Sequence, residues 1–451
     1  MKELRRELKQ MDVWGLALGA MIGTGCFFLP GTVFLPKSGP AGAAAGIFAG
    51  MCMIMVIAVN YSYLIMHYPK SGGEYVFVKE TYGSGHAWIC GWFLALAYVA
   101  LVSLNGTAAT MILRYLFPGM LEYGKLYTVA GWEVYLAEAA VSGAVILLTA
   151  AVNLYGVKLA GAVQTAIALL LVLSVGILTA AVLGSGITLR NLAPGFAGGH
   201  KGGCVFASLA IAPFLFIGFD CIPQAAGEYR FSNRKTLKIL LLAILFAASV
   251  YCLVMLMTGV AMPWQALLDR RDAWAAGAAI GYKLGKGWVF VLGFAMLCAA
   301  LSGMNAFLLS SSRLVYAMAQ DGALPRVFAN ISGKRQIPGN AVCFVTMVSL
   351  LSPWLGREVL NWIVDMTSVG GAAAYCYTSM ITYTVAKKEG QGIYKITGML
   401  GALFSVLFLG LLLVPGLTSS LSKQALAALG IWSILGIVFG KYQKRKSGNQ
   451  A

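Results

Sequence analysis

The sequence Ile22-Gly23-Thr24-Gly25-Cys26-Phe27 interrupts the first long apolar segment of the chain, which extends from about residue 12 to residue 36. In a soluble protein such a stretch would be a loop. Inside a bilayer, backbone N–H and C=O groups must be satisfied, and irregular backbone is tolerated only where protein or a polar cavity covers it. If this segment spans a membrane, the glycine break is therefore a candidate binding site.

The amino-acid composition indicates that the chain is a membrane protein. Of the 451 residues, 59% are hydrophobic and only 11% are charged, and the mean hydropathy is +0.79. That is too little charge to cover a soluble surface, so we predict a polytopic helical membrane protein. Twelve apolar segments are long enough to cross a hydrocarbon core. They are residues 12–36, 40–67, 87–117, 134–153, 157–184, 204–228, 237–262, 287–318, 338–355, 359–386, 396–416 and 424–440.

The net charge of +17 resides in short clusters of Lys and Arg between the apolar segments. This pattern is typical of cytoplasmic loops and does not indicate a nucleic-acid partner. With the N-terminus placed in the cytoplasm, 21 of the 33 basic residues lie on that side, 11 lie on the other, and Lys158 is placed within the membrane. We therefore predict a multi-pass protein of the plasma membrane with both termini cytoplasmic. The loop at 263–286 opposes this bias, because it places four positive charges outside.

A second glycine break lies in the sixth segment, at residues 214–223 (FLFIGFDCIP), and shares the pattern Ile-Gly-x-x-Cys with the first. Each break is followed by a proline, Pro30 or Pro223, and each opens a block of five segments. Because five is odd, the two blocks must have opposite orientations, which is the pattern of an inverted repeat. The predicted units are an N-terminal tail (1–11), a first repeat (12–186), a second repeat (204–388), two added helices (396–440) and a C-terminal tail (441–451).

Four motifs in the first ten segments carry a family resemblance. They are residues 19–27 (GAMIGTGCF), 69–76 (PKSGGEYV), 216–220 (FIGFD) with 225–228 (AAGE), and 312–325 (SRLVYAMAQDGALP). Together they resemble the amino acid–polyamine–organocation (APC) superfamily of permeases. The resemblance implies an all-α fold of twelve transmembrane helices, built as a five-plus-five inverted repeat (LeuT-like) with helices 1 and 6 discontinuous. It also implies secondary active transport of amino acids, or alternatively of polyamines or other organic amines.

The two breaks offer complementary backbone groups. Where the first segment unwinds, free amides and the positive end of the helix dipole favour a carboxylate. These amides belong to Thr24, Gly25 and Cys26. Unpaired carbonyls suit an ammonium, and the candidates are those of Met21, Phe214 and Ile217. A site of this kind suits a zwitterion, although small residues at such positions can also serve only to let helices pack closely.

Lys158 lies near the start of the fifth segment, whose remainder carries no charge. Its position alone is equally consistent with a lysine that snorkels to the interface. The resemblance implies that a lysine at this place contacts segments one and eight, where sodium-coupled relatives hold an ion. We therefore predict that Lys158 makes transport sodium-independent, through proton coupling or exchange. Ser302 and Asn305 of segment eight are candidates to line the cavity beside it.

Two acids of the sixth segment leave alternatives open. Asp220 follows the Gly218 break, where it either caps the second half of the segment or binds a cationic substrate or a proton. Glu228, beside Arg230 and Arg234, is predicted to belong to a gate or a structural ion pair.

No motif for catalysis, a metal or a cofactor is found, so we predict a protein that is not an enzyme. The expected partners are a small-molecule substrate and the lipid bilayer. A disulfide-linked partner subunit is not expected, because residues 118–133 contain no cysteine. A channel or a non-transporting membrane subunit is the remaining alternative, since helix breaks also line pores.

Overall fold

The computed structural model describes residues 4–272, 274–333, 335–414, 417 and 420–448. Over these residues the chain is predominantly helical. Nine helical stretches of the described chain are long and apolar enough to cross a membrane, and the first of them, Gln10–His67, is 58 residues long. The chain is therefore a polytopic helical membrane protein, as predicted from its composition.

The helices follow the predicted segments in order, with three additional helices, Gly73–Tyr82, Trp264–Asp269 and Ala275–Leu284, in the connections between those segments. The first segment consists of α1 (Gln10–Met21), α2 (Gly25–Leu29) and a π-helical stretch (Pro30–Ser38). The next helices are α3 (Gly39–His67), α4 (Gly73–Tyr82), α5 (Ser84–Leu116), α6 (Leu136–Tyr155) and α7 (Val157–Gly184). The sixth segment is divided into α8 (Lys201–Leu209), α9 (Ala212–Phe216) and α10 (Cys221–Gln224). The remaining helices are α11 (Thr236–Ala261), α12 (Trp264–Asp269), α13 (Ala275–Leu284), α14 (Lys286–Gln320), α15 (Gly339–Ser349), α16 (Arg357–Lys388), α17 (Gly392–Leu413) and α18 (Lys423–Gly448).

A two-stranded hairpin departs from the all-α prediction. Strands β1 (Lys125–Val129) and β2 (Trp132–Tyr135) pair antiparallel in the connection between α5 and α6. Ala130 and Gly131 form its turn with φ of +49° and +85°, the left-handed conformation that a two-residue hairpin turn requires. The hairpin places Trp132 in the wall of the cavity described below.

Helix α1 lies at the centre of the bundle, packed against α7, α11 and α14. Every residue from Gly15 to Met21 is buried. Polar groups released where this helix ends therefore cannot reach bulk water, and they must be paired within the protein or face a cavity.

The helix is interrupted at both glycine breaks. One gap separates the end of α1 at Met21 from Gly25, and the other separates the end of α9 at Phe216 from Cys221. The two breaks touch. Gly218 has φ of +126°, and a Cβ placed on it would lie 2.5 Å from the Cβ of Ala20 and 2.7 Å from its carbonyl carbon. Only glycine permits this conformation and this approach.

Candidate functional site

Two cavities meet at the breaks. The larger cavity has a volume of about 530 Å³, and Trp132 and Asp365 contribute to its wall. The smaller is a void of about 20 Å³, enough for a single water molecule. Both walls contain Thr24, Gly25 and Phe214. The larger cavity falls within the size range of about 300–1,000 Å³ that is typical of ligand pockets, so the first break lies at the floor of a candidate binding site.

The first break presents unused donors. No described residue accepts a hydrogen bond from the amides of Gly23, Thr24 or Gly25. The prediction is wrong for Cys26, whose amide donates to the Gly23 carbonyl at 3.1 Å. The tight turn that begins α2 already uses that amide, and Cys26 is fully buried and lines neither cavity. Thr24 and Gly25 line both cavities, and their role in binding stays a prediction.

The second break presents unused acceptors. The carbonyls of Phe214 and Ile217 receive no hydrogen bond from the part of the chain that the structure describes. Gly218 would continue the helix by donating to Phe214, but its amide turns to the Oδ1 atom of Asp220 at 2.6 Å. The prediction of an unpaired carbonyl is wrong for Met21, because this carbonyl accepts a hydrogen bond of 3.1 Å from the Tyr251 hydroxyl. Tyr251 also lines the small void, and no local signal in the sequence identified it.

Asp220 is completely buried and lines neither cavity. Its Oδ1 atom accepts from the Gly218 amide, and its Oδ2 atom accepts from the Tyr98 hydroxyl at 2.8 Å. It makes no capping hydrogen bond to α10. The predicted cap is therefore corrected: the carboxylate turns back and satisfies the amide that the left-handed Gly218 removes from the helix.

Asn105 of α5 is a site residue that the sequence analysis missed. It is 2% exposed and lines the small void. Its Oδ1 atom has no partner among the described residues and lies 3.7 Å from where a Cβ on Gly23 would be. The available signal was a polar side chain inside an apolar segment, which is a functional candidate by default.

A neutral polar network joins α1, α7 and α14. Gln164 donates from Nε2 to the Gly15 carbonyl at 3.0 Å and to the Ser302 hydroxyl at 2.7 Å. Its Oε1 atom accepts from Asn305 Nδ2 at 2.7 Å. Ser302 and Asn305 are predicted to line a cavity beside Lys158, but they line neither cavity and are bound instead to Gln164 of the fifth segment.

Lys158 does not take the predicted place between segments one and eight. It is exposed on α7. Gln164 follows it by six residues, which on an α-helix is a rotation of about 240°, so the two side chains lie on different faces. The placement of Lys158 is therefore wrong, because motif position identified the correct helix without identifying the face that packs inward.

A buried ion pair lies beside the N-terminal residues of the chain. Glu228 binds Arg313 in two places, Nε to Oε1 at 2.8 Å and Nη2 to Oε2 at 3.0 Å, and both side chains are at most 1% exposed. The predicted ion pair is present, but its partner is Arg313 and not Arg230 or Arg234. Leu8 crosses beside it, donating to the Glu228 carbonyl and accepting from the Arg230 amide.

Comparison with known proteins gives a consistent result. A family model described as amino acid permease matches residues 8–439. The chain is 27% identical over 407 residues to cationic amino acid transporter 4 of Homo sapiens, covering 86% of this chain and 61% of that protein. It is 25% identical over 481 aligned positions to a branched-chain amino acid permease of Lactococcus lactis subsp. cremoris, covering 99% and 97%. It is 24% identical over 459 positions to the L-asparagine permease of Escherichia coli, covering 96% and 87%. The chain thus spans about three fifths of the length of the human relative.

Proposed function

Because the chain belongs to the amino acid permease family, we propose that it is a secondary active transporter of amino acids that works by alternating access. The observation that carries the proposal is the pairing of the two breaks. One break supplies unused amides at Gly23, Thr24 and Gly25, and the other supplies unused carbonyls at Phe214 and Ile217. A free amino acid carries a carboxylate for the amides and an ammonium for the carbonyls.

The alternative substrates are polyamines or other organic amines. Asp365 in the wall of the large cavity favours this class, because a carboxylate attracts cations. An amine without a carboxylate would leave the amides of the first break without an acceptor, which is costly in a buried site. The residues that line the small void include no carboxylate, lysine, arginine or histidine. Both features support an amino acid.

The proposed architecture is the one that the resemblance implies. It has twelve spans in a plasma membrane, the five-plus-five inverted repeat and two cytoplasmic termini. Segments one, two, six and seven would move as a block against the other segments and expose the site to each side of the membrane in turn. The Glu228–Arg313 pair joins segment six to α14, and hence the moving block to the rest, so it would separate when the site opens toward the N-terminal side.

Sodium independence is the second element of the proposal. The family resemblance implies that sodium-coupled relatives hold an ion where segments one, five and eight meet. In this chain Gln164, Ser302 and Asn305 occupy that junction as neutral groups that bind one another. A sodium ion there would have to displace these hydrogen bonds without gaining a carboxylate. Transport would then be driven by protons or by exchange.

Uptake by purified protein in liposomes tests both elements. Leucine, arginine, asparagine and the polyamine putrescine are offered as labelled substrates at fixed pH, in sodium and in choline. We expect saturable uptake and counterflow of at least one amino acid, with less than a twofold change when choline replaces sodium. Loss of uptake in choline would contradict sodium independence, whereas uptake of putrescine alone would favour the alternative substrate class.

Replacing Gly25 with valine tests the donor half of the site. A Cβ on Gly25 would lie 3.2 Å from Cε1 of Phe214, and the added methyl groups would cover the neighbouring amides. We expect substrate affinity to fall at least tenfold in a direct binding assay. The matched control is Gly176→Val on the exposed face of α7, where no atom lies within 4 Å. Equal affinities of the two variants would exclude the first break as the carboxylate site.

A further inference from the structure

Two carboxylates lie beside the substrate site without an accompanying cation. Glu74 of α4 and Asp220 are both 0% exposed. Glu74 accepts from the Tyr61 hydroxyl at 2.9 Å and from Gln224 Nε2 at 2.6 Å. Tyr98, which donates to Asp220, lies 3.5 Å from the same Gln224 nitrogen. Gln224 and Tyr98 thus connect the two acids. We refer to the five residues Glu74, Asp220, Tyr61, Tyr98 and Gln224 as the acid cluster.

The titratable side chains that face the cluster from the surrounding helices are phenols and thiols, and none of them is basic. They are Tyr61 of α3, Tyr98 and Cys90 of α5, Cys221 of α10 and Tyr375 of α16. Within the described chain, no lysine, arginine or histidine forms an ion pair with Glu74 or Asp220.

Physical chemistry favours a proton here. An isolated ionised carboxylate is very costly to bury, and two close carboxylates cannot both remain charged without a cation. Burial, together with the neighbouring Asp220 carboxylate, raises the pKa of Glu74. A proton on one of the two acids would remove this cost.

Two further buried groups leave capacity to hold that proton. The Oε1 atom of Gln224 and the Tyr375 hydroxyl have no partner among the described residues, and both side chains are 0% exposed. The Gln224 amide is 2.6 Å from Glu74, a separation typical of an O–H···O bond. With its amide turned over, the Gln224 oxygen would accept a hydrogen bond from the O–H of a neutral Glu74.

We propose that the acid cluster binds the proton that drives transport. This inference rests on the proposed function and deepens it by assigning the coupling ion and its site. In each cycle a carboxylate would take a proton from water on one side and return it to water on the other, and no other bond would change.

The position of the cluster explains how a proton would be coupled to substrate. Tyr61, Asp220 and Gln224 belong to segments two and six of the proposed moving block, whereas Tyr98 and Tyr375 belong to the rest. Movement of the block would separate Tyr98 from Asp220 and admit water to the acids. Asp220 also holds the amide of Gly218, which packs directly against the first break. A change of charge on Asp220 would therefore alter the position of the first break and, with it, the contacts to the substrate.

The test uses the full-length protein in liposomes that contain a pH-sensitive dye. We expect the wild type to move protons when substrate is added and to accumulate substrate along a pH gradient. Glu74→Gln should reduce gradient-driven accumulation at least tenfold, while counterflow of substrate, which needs no net proton movement, stays within threefold of the wild type. The control is Glu80→Gln on the same helix, where Glu80 is exposed and pairs with Lys70. This variant should behave like the wild type.

Several results would overturn the proposal. It fails if Glu74→Gln accumulates substrate as the wild type does, or if the folded variant loses counterflow as well, which would indicate a structural role. If that variant cannot be purified, Tyr61→Phe removes one hydrogen bond to the carboxylate and should shift the pH midpoint of uptake upward, and an unchanged midpoint would exclude the cluster. Wild-type counterflow without proton movement would refute the proton site alone, whereas absence of any amino acid counterflow would refute the proposed function.

Discussion

Alanine at Gly218 is expected to abolish transport and to weaken substrate binding more than a hundredfold, about 3 kcal/mol. The φ of +126° is unfavourable for any residue with a Cβ, and the added carbon would lie 2.5 to 2.7 Å from atoms of Ala20. Neither break can withdraw without separating the amides of the first from the carbonyls of the second. Direct binding of labelled substrate to purified protein and counterflow in liposomes measure the two effects.

Gly198→Ala is the matched control for this prediction. Gly198 has a similar φ of +117°, but a Cβ there would meet no atom within 4 Å. Both variants therefore experience backbone strain, and only Gly218→Ala also forces the two breaks apart. We expect Gly198→Ala to bind substrate within threefold of the wild type. Equal binding by the two variants would mean that the close contact between the breaks is not required for the site.

Among the variants proposed for this protein, Arg313→Ala should cause the largest loss of stability. Arg313→Ala leaves the Glu228 carboxylate buried without its partner, and such changes typically reduce the free energy of unfolding by about 3–5 kcal/mol. Both side chains are at most 1% exposed, so water cannot replace the guanidinium. Denaturant unfolding of the detergent-solubilised protein gives the free energy of unfolding, and a thermal melt gives its temperature dependence.

Two further variants identify the cause of that loss. Lys70→Ala breaks the exposed pair with Glu80, whose side chains are 67% and 42% exposed, and should change stability by no more than about 1 kcal/mol. The double variant Glu228→Leu with Arg313→Met removes both charges and should recover most of the stability lost in Arg313→Ala. A loss for Arg313→Ala no larger than that for Lys70→Ala would show that the buried ion pair contributes no more to stability than the exposed one.

The breaks could be predicted from sequence because their cause is local. Clusters of glycine inside apolar segments disfavour a continuous helix, and the structure interrupts the helix at both predicted places. The pairing of the released groups could not be predicted in the same way. The Met21 carbonyl is taken by Tyr251, which lies 230 positions away, and the Cys26 amide is used by a turn whose closure depends on packing.

Lys158 and Gln164 illustrate a second limit. The family resemblance pointed to the fifth segment and to contacts with segments one and eight, and α7 does make those contacts. A charged residue in an apolar segment is a stronger indication of a functional site than a neutral amide is. The inward face of α7 is nevertheless decided by its packing against α1 and α14, which leaves Lys158 exposed and buries Gln164.

The sequence by itself therefore determined the membrane class, the order of the helices, the two breaks and the family. These follow from hydrophobicity, glycine content and motifs, which act within a segment. Only the tertiary structure decided which polar groups meet: Glu228 with Arg313, Gln164 with Ser302, and Glu74 with Asp220 through Gln224 and Tyr98. In an interior without bulk water, a buried side chain that its own helix does not satisfy is stabilised by a partner on another helix, and the choice of that partner depends on how the helices pack in three dimensions.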